Sequence, residues 1–427
     1  MKLSEMSKEE LSAFKADVQK QYDDYKSQGL SLNMARGKPS SEQLDLAMQM
    51  LAAVNSYDED YKASDGTDCR NYGGLDGIID AKNLFAPMLG VTNDELIICG
   101  NSSLNIMYDT IAKCIIFGVD GVHKPWKDYE KIKWLCPCPG YDRHFAICES
   151  FGIEMIPIEM GEDGPDMDTI EKLVAEDDTI KGIWCVPMYA NPTGITYSDE
   201  IVKRFANLKP KAEDFRIFWD NAYCIHHLSD TPDKLLNILD ECKKAGNDDM
   251  VYMFASTSKI TFAGGGIAVM ASSVNNVNYI KKLMNVQTIG YDKINQLRHA
   301  KFFGSYEGLM KHMEKHKAII KPRFDAVLDA LDKEIAPLGI GKWKRPNGGY
   351  FISFDSLDGC AKRIVQLCKD AGVVLTGAGA TFPYGKDPHD SNIRIAPTYP
   401  SIDELKKAVE VFVTAVKLAS AEKLLAE

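Results

Sequence analysis

Four stretches of the chain set reactive or ligand-holding side chains directly after apolar runs. Gly100-Asn101-Ser102-Ser103 follows Leu96–Cys99 and opens a helix-like segment. Small residues there leave backbone N–H groups and hydroxyls open to an anion, although an ordinary helix cap has the same composition. Tyr189-Ala190-Asn191-Pro192-Thr193-Gly194 follows Gly182–Pro187. Its Asn-Pro-Thr-Gly exposes an amide at the start of a turn, and by itself it reads simply as a turn. Asp220 follows Arg216–Trp219 and stands three residues before Tyr223. A carboxylate and a phenol so spaced can face one pocket, and a helix cap is the plainer reading. Ser256-Thr257-Ser258-Lys259 follows Met250–Ala255 and leads into Gly264-Gly265-Gly266. A lysine among hydroxyls is a poor core element. It is a sensible nucleophile beside a bound anion, and glycines let the backbone come close to a ligand.

These positions converge only if the apolar runs are strands of one sheet, because open α/β sheets bind ligands beyond the carboxyl ends of their strands. Leu96–Cys99, Lys133–Cys136, Glu154–Ile158, Gly182–Pro187, Arg216–Trp219, Met250–Ala255 and Ile267–Ala271 alternate with helical stretches such as Leu104–Ile116 and Thr169–Ala175. The alternation predicts an α/β fold with a seven-stranded, mostly parallel sheet between helices. Ser7 with Glu10 spells a capping box and predicts a helix from there to Gln28, stopped by Gly29. Arg36-Gly37-Lys38-Pro39 must be a loop, and the pattern is helical again from about Glu42 to Val54. Beyond Tyr306 the character changes. A long charged helix (Gly308–Leu331) precedes an alternating strand (Trp343–Phe354), a helix (Cys360–Ala371), strands at Val373–Leu375 and Asn392–Ile395, and a helix from Ile402 to Leu425. The expected organisation is an N-terminal segment (1–45) joining a smaller α+β domain at the C-terminus (306–427), with a large domain (46–305) between them.

Composition bounds the partners. Of 427 residues, 45% are hydrophobic and 26% charged, which is ordinary for a soluble globular chain. The 61 acidic residues exceed the 50 basic ones, giving a formal charge of −11. That balance argues against non-specific nucleic-acid binding and a polybasic membrane surface. The start of the chain is charged and no apolar run is long enough to span a bilayer, so a cytoplasmic protein is expected. The 11 cysteines are odd in number and scattered, as free thiols would be. Cys136-Pro137-Cys138 lacks a second ligand pair at zinc spacing, so no metal is expected. His226 and His227 are adjacent, diverge on any regular element, and read as surface or packing residues.

The order small-residue turn, Asn-Pro-x-Gly, Asp-x-x-Tyr, Ser-x-Ser-Lys resembles the fold-type I, pyridoxal 5'-phosphate-dependent aminotransferases of class I/II. Arg36-Gly37-Lys38-Pro39, with Ser41-Glu42-Gln43-Leu44-Asp45-Leu46 after it, resembles the class Ic aspartate aminotransferases. The likeness implies that Lys259 forms a Schiff base with the cofactor and then moves a proton at the substrate's Cα. It implies that Asp220 pairs with the pyridine nitrogen, that Tyr223 and Asn191 donate to the phenolic oxygen, and that Tyr141 stacks on the ring. Asn101, Ser102, Ser103, Ser256 and Ser258 would hold the phosphate. Tyr72 would reach the phosphate of a partner subunit, so a homodimer with shared sites is implied. Arg394 would bind the substrate α-carboxylate, with the backbone of Gly37 nearby.

Two positions depart from the family pattern. The arginine that commonly follows the lysine by eight residues is Ile267 here, which leaves the phosphate contacts open. No motif marks the residue for a distal carboxylate, for which Arg143, then Arg36 and Arg298, are candidates beside the plain reading of solvated arginines. The reaction implied is aspartate:2-oxoglutarate transamination by a ping-pong scheme, with amino acids and 2-oxo acids as partners. The same scaffold also supports other transaminases and β-lyases. An aminotransferase-like regulator is the non-enzyme alternative, and the segment before Arg36 is too short for a winged helix-turn-helix.

Overall fold

In the computed structural model, which describes residues 2–57 and 60–427, the seven apolar runs pair into one sheet. Across the sheet the order is Leu96–Ile98, Ala268–Ala271, Val251–Ser256, Arg216–Asp220, Ile180–Cys185, Lys133–Cys138, Glu154–Glu159. Ala268–Ala271 is antiparallel to both neighbours and the remaining pairs are parallel. Six strands therefore point the same way, and the loops leaving their carboxyl ends share one edge. The register is tight there: Cys185 lies beside Trp219, and Asp220 beside Phe254. Segments distant in sequence thus emerge side by side.

Both faces of the sheet are covered, as a parallel sheet requires. Side chains alternate across a strand, so Ile217 and Trp219 enter one core with Ile183 and Met253. Phe218 enters the other with Trp184, Trp134 and Phe254. A third core gathers the chain's two ends, from Leu3 to Met34 and from Ile320 to Ala421. It holds a three-stranded antiparallel sheet in which Ile352–Ser356 lies between Gly341–Trp343 and Asn392–Ile395. The helix Tyr306–Glu334 joins the bodies: Leu309 and Met313 enter the first core, Ile320 to Leu331 the third.

Local signals account for several elements. The helix Lys8–Ser27 carries the expected capping box, with Ser7 Oγ accepting from Glu10 N at 3.2 Å and Glu10 Oε2 accepting from Ser7 N at 2.8 Å. Two expectations change. The run 343–354 is not one strand, because Pro346 and the two glycines after Asn347 turn the chain. Gly349 has φ of +88°, and a Cβ on Gly348 would lie 2.3 Å from the Tyr189 ring. The stretch 42–54 is a short helix, Ser41–Asp45, followed by a tighter turn over Met48–Ala52, where the amides of Ala47 and Met50 reach back three residues. No helix of the described residues is long and apolar enough to cross a membrane.

Gly182 shows how closely the sheet and its cover meet. A Cβ there would lie 2.4 Å from the ring of Trp134, which is fully buried and has no room to retreat. Gly182→Ala is expected to destabilise the fold by about 1–3 kcal/mol through overpacking, measured as a lower denaturation midpoint. An unchanged midpoint would contradict this packing.

Candidate active site

Ser102, Ser103, Tyr141, Asn191, Asp220, Tyr223, Ser256, Ser258 and Lys259 line one cleft of about 150 Å³. Each comes from a strand end, a loop or a helix start at the sheet's carboxyl edge. The shared direction of the strands brings them together, since their positions in sequence run from 102 to 259.

Asp220 closes the Arg216–Asp220 strand and is buried. Its Oδ2 lies 3.0 Å from His144 Nε2, and its Oδ1 is buried without a partner among the described residues. His144 is held in turn by stacking on Trp184, with ring centroids 4.3 Å apart and planes 10° off parallel. Sequence reasoning missed His144. The available signal was its spacing of three from Tyr141, one helical turn along Asp142–Ser150. Tyr141 packs edge-on against the same imidazole, ring centroids 4.9 Å apart.

Lys259 is half-buried, with Nζ 4.9 Å from the Tyr223 ring centroid and 5.8 Å from that of Tyr350. Desolvation lowers its pKa from the ordinary 10.5; Asp220 opposes that shift and Arg394 adds to it. Burial pushes the Tyr223 phenol well above its usual range and Tyr141 up to about 12, so both stay protonated donors.

The other end of the cleft suits an anion. Ser102 is the N-cap of the 15-residue helix Ser103–Phe117, and its hydroxyl makes no capping bond. The N–H groups of that first turn face the same region and favour negative charge. Ser256 Oγ donates to Ser258 Oγ at 3.0 Å, and Ser258 Oγ reaches the carbonyl of Asn101 at 3.4 Å. Ile267 is buried in the first core, its amide donating to Thr257 Oγ1 at 2.8 Å. Lys259 is therefore the only basic residue among those lining the cleft. Pyridoxal 5'-phosphate fits this donor set. An unpartnered buried carboxylate oxygen awaits an N–H, a low-pKa amine awaits an aldehyde, and hydroxyls with a helix start await a phosphate.

Arg394 lies on Asn392–Ile395 of the smaller sheet and reaches into the larger body. Its Nη1 donates to Asp142 Oδ1 at 2.9 Å and to Asn191 Oδ1 at 3.3 Å, and its Nη2 to Thr376 Oγ1 at 3.3 Å. The guanidinium carbon lies 4.9 Å from the Phe351 ring centroid. Gly37 meets the same ring: a Cβ there would be 2.1 Å from Phe351 Cζ, so only glycine lets the 34–38 loop lie beside Arg394. Asp142, Thr376 and Phe351 carried no motif that sequence reasoning could use.

Other expected residues lie apart from the cleft lining. Tyr72 is 81% exposed. Arg36 and Arg143 are exposed, and Arg298 is half-buried on the helix Lys293–Phe303 with Nε lacking a partner. Asn101 is exposed and takes part through its carbonyl. Of the two readings of His226, surface or packing, the structure bears out packing: it is buried beside Tyr223 and Tyr350, and burial holds its pKa well below normal.

Comparison with known proteins follows the same lines. The family model for aspartate amino-transferase matches residues 6–427. An aspartate aminotransferase of Corynebacterium glutamicum is 45% identical over 420 residues, 98% of this chain and 96% of its own. A crystal structure of an aspartate transaminase from that organism superposes with a TM-score of 0.96 at 44% identity, covering 99% of each chain. An α-aminoadipate aminotransferase from Thermus thermophilus, complexed with N-(5'-phosphopyridoxyl)-L-leucine, shares the fold at a TM-score of 0.74 and 19% identity, covering 93% of each chain.

The environment of Lys259 sets a pH dependence. Uptake of pyridoxal 5'-phosphate by the cofactor-free protein is expected to rise with pH to a plateau whose midpoint lies below 10.5. Asp220 raises the lysine's pKa, so Asp220→Asn is expected to move that midpoint lower still. Stopped-flow absorbance measures both, and a midpoint at the free-lysine value would contradict the desolvated amine.

Proposed function

Because this chain belongs to the aspartate amino-transferase family and is a pyridoxal 5'-phosphate-dependent aminotransferase of fold type I, we propose that it moves the amino group of aspartate to 2-oxoglutarate in two half-reactions. The observation that carries the reading is the meeting of Lys259, Asp220 and Arg394 around one cleft: an amine, a buried carboxylate and a guanidinium from three separate elements. Aspartate as donor rests on the name of the Corynebacterium relative.

When bound, pyridoxal 5'-phosphate supplies an aldehyde carbon for the amino group and a ring that takes up the electron pair released at Cα. The residues named here would do the rest. Lys259, neutral when its pKa is low, takes the proton from the substrate's Cα and returns one at the cofactor's C4′. Asp220, oriented by His144 through Oδ2, keeps a proton on the ring nitrogen through Oδ1. Tyr223 and Asn191 would donate to the ring's phenolic oxygen, and Tyr141 would offer an aromatic surface to the ring. Ser102, Ser103, Ser256 and Ser258 would orient the phosphate, with the Ser258 hydroxyl placed beside the Asn101 carbonyl. Arg394 clamps the α-carboxylate beside Gly37 and so aligns the Cα–H bond. Arg36 and Arg143 make no side-chain hydrogen bond or ion pair among the described residues, which leaves them available to a distal carboxylate.

Tyr72, exposed outside its own cleft, suits a homodimer in which it reaches the partner's phosphate. A cytoplasmic setting is consistent with the eleven free cysteines.

Three outcomes test this reading. The visible band of the loaded protein is expected to bleach with aspartate and return with 2-oxoglutarate; indifference to aspartate would redirect the substrate to another amino acid. Lys259→Ala is expected to lose turnover by at least about a thousandfold, since it removes the base and the attachment point together. Arg394→Ala is expected to raise KM for aspartate by roughly tenfold to a hundredfold, as for loss of a charged hydrogen bond, while cofactor content, read by absorbance, stays near wild type.

A further inference from the structure

Arg394 already holds a carboxylate, that of Asp142. The Arg394 side chain is only 8% exposed, whereas that of Asp142 is 35% exposed. The contact is made at a single point. Asp142 Oδ1 meets Nη1 alone, Nη1 is shared with Asn191, Nη2 turns to Thr376, and Nε is buried without a partner. A free carboxylate brings two oxygens and can take two parallel N–H bonds from the same fork. It should therefore outcompete a one-point partner.

Asp142 also has somewhere to go. It is the first residue of the helix Asp142–Ser150, where the free N–H groups of the first turn favour a negative charge. Being part exposed, it can swing to water without leaving a buried unpaired charge. Arg394 has no such option. With nothing on Nη1 but an amide oxygen, it would be a buried cation short of a counter-charge, which is costly.

We propose that Asp142 is a displaceable stand-in for the substrate's α-carboxylate, holding Arg394 in place between turnovers and giving way when substrate binds. The proposal rests on the reading of Arg394 as the carboxylate seat. Asp142 is then a positioning residue, acting through Arg394 and touching no reacting atom. Two consequences follow. The empty site stays ordered, because the guanidinium keeps a partner. Every entering ligand must also win an exchange, so Asp142 weakens the binding of all carboxylates and discriminates against ligands that offer Arg394 only one acceptor atom.

The test is calorimetric titration of the cofactor-loaded protein with succinate, a dicarboxylate that has no amino group and does not react. Asp142→Asn removes the competing charge and is expected to tighten succinate binding by about threefold to tenfold, the range for a part-exposed ion pair. It is also expected to lower KM for aspartate by a similar factor, with the change falling on KM more than on kcat. Asp142→Glu retains the competitor and is expected to bind succinate as the wild type does. Arg394→Lys, which loses the fork, is expected to weaken succinate binding. If Arg394→Lys weakens binding while Asp142→Asn leaves it unchanged or weaker, the stand-in is overturned and the carboxylate seat survives. If Arg394→Lys has no effect, the seat itself is refuted and the stand-in with it. Tightening by Asp142→Glu as strong as by Asp142→Asn would assign the effect to shape, not charge, and would also overturn the proposal.

Discussion

The burial of Asp220 is the constraint around which the site is built. A carboxylate taken out of water at the end of a central strand is expensive unless its oxygens find partners. Among the described residues only Oδ2 is satisfied, by His144, while Oδ1 is left for an N–H from a ligand. The same desolvated cleft lowers the pKa of Lys259, whose charge is set by opposing neighbours: burial and Arg394 push the amine toward its neutral form, and Asp220 pulls it back. Such a pair is poor as a stabilising element and well suited to a ligand that is basic at one end and an aldehyde elsewhere.

Holding that pair open to a ligand requires rigid support from two of the three cores. From one, Trp184 fixes the His144 ring by stacking, and packs with Phe218, whose strand ends in Asp220. From the other, Tyr350 and Phe351 lie against Tyr223, and Gln43 ties the Tyr350 hydroxyl at 2.6 Å. The aromatic packing thus serves the charges, since a rotamer hop at any of these rings would move a polar atom that has few alternatives.

Arg394 joins the two bodies at the mouth of the cleft. It stands on the smaller sheet, yet its partners belong to the larger body, Asn191 to a loop and Asp142 to the start of the helix Asp142–Ser150. Shifting one body against the other would change the distance from the carboxylate seat to Lys259. Asp142 matters in this light because it supplies a counter-charge across the same joint when no substrate is present. The order of the empty site and the affinity of the filled one are then opposite faces of a single ion pair.

Much of this was legible in the residues. The α/β class, the seven runs that became strands and the capping box at Ser7 follow from local patterns of apolar length and turn chemistry, and the resemblance to the aminotransferases, carried by four short motifs, marked the nine cleft residues from Ser102 to Lys259. These are short-range consequences of residue type, so a linear reading captures them. The break in 343–354 was also encoded, in Pro346 and the glycines after it, but alternation along the run masked it. What the tertiary structure alone decided is which distant residues meet. His144 reaches Asp220 because two strands share a direction, Asp142 reaches Arg394 because two sheets abut, and His226 is buried because Tyr223 and Tyr350 close over it. None of these pairs has a spacing that marks it. Parallel strands make neighbours of residues tens of positions apart, and the meeting of two sheets joins residues more than two hundred apart, so the surroundings of each buried group are assigned by packing alone.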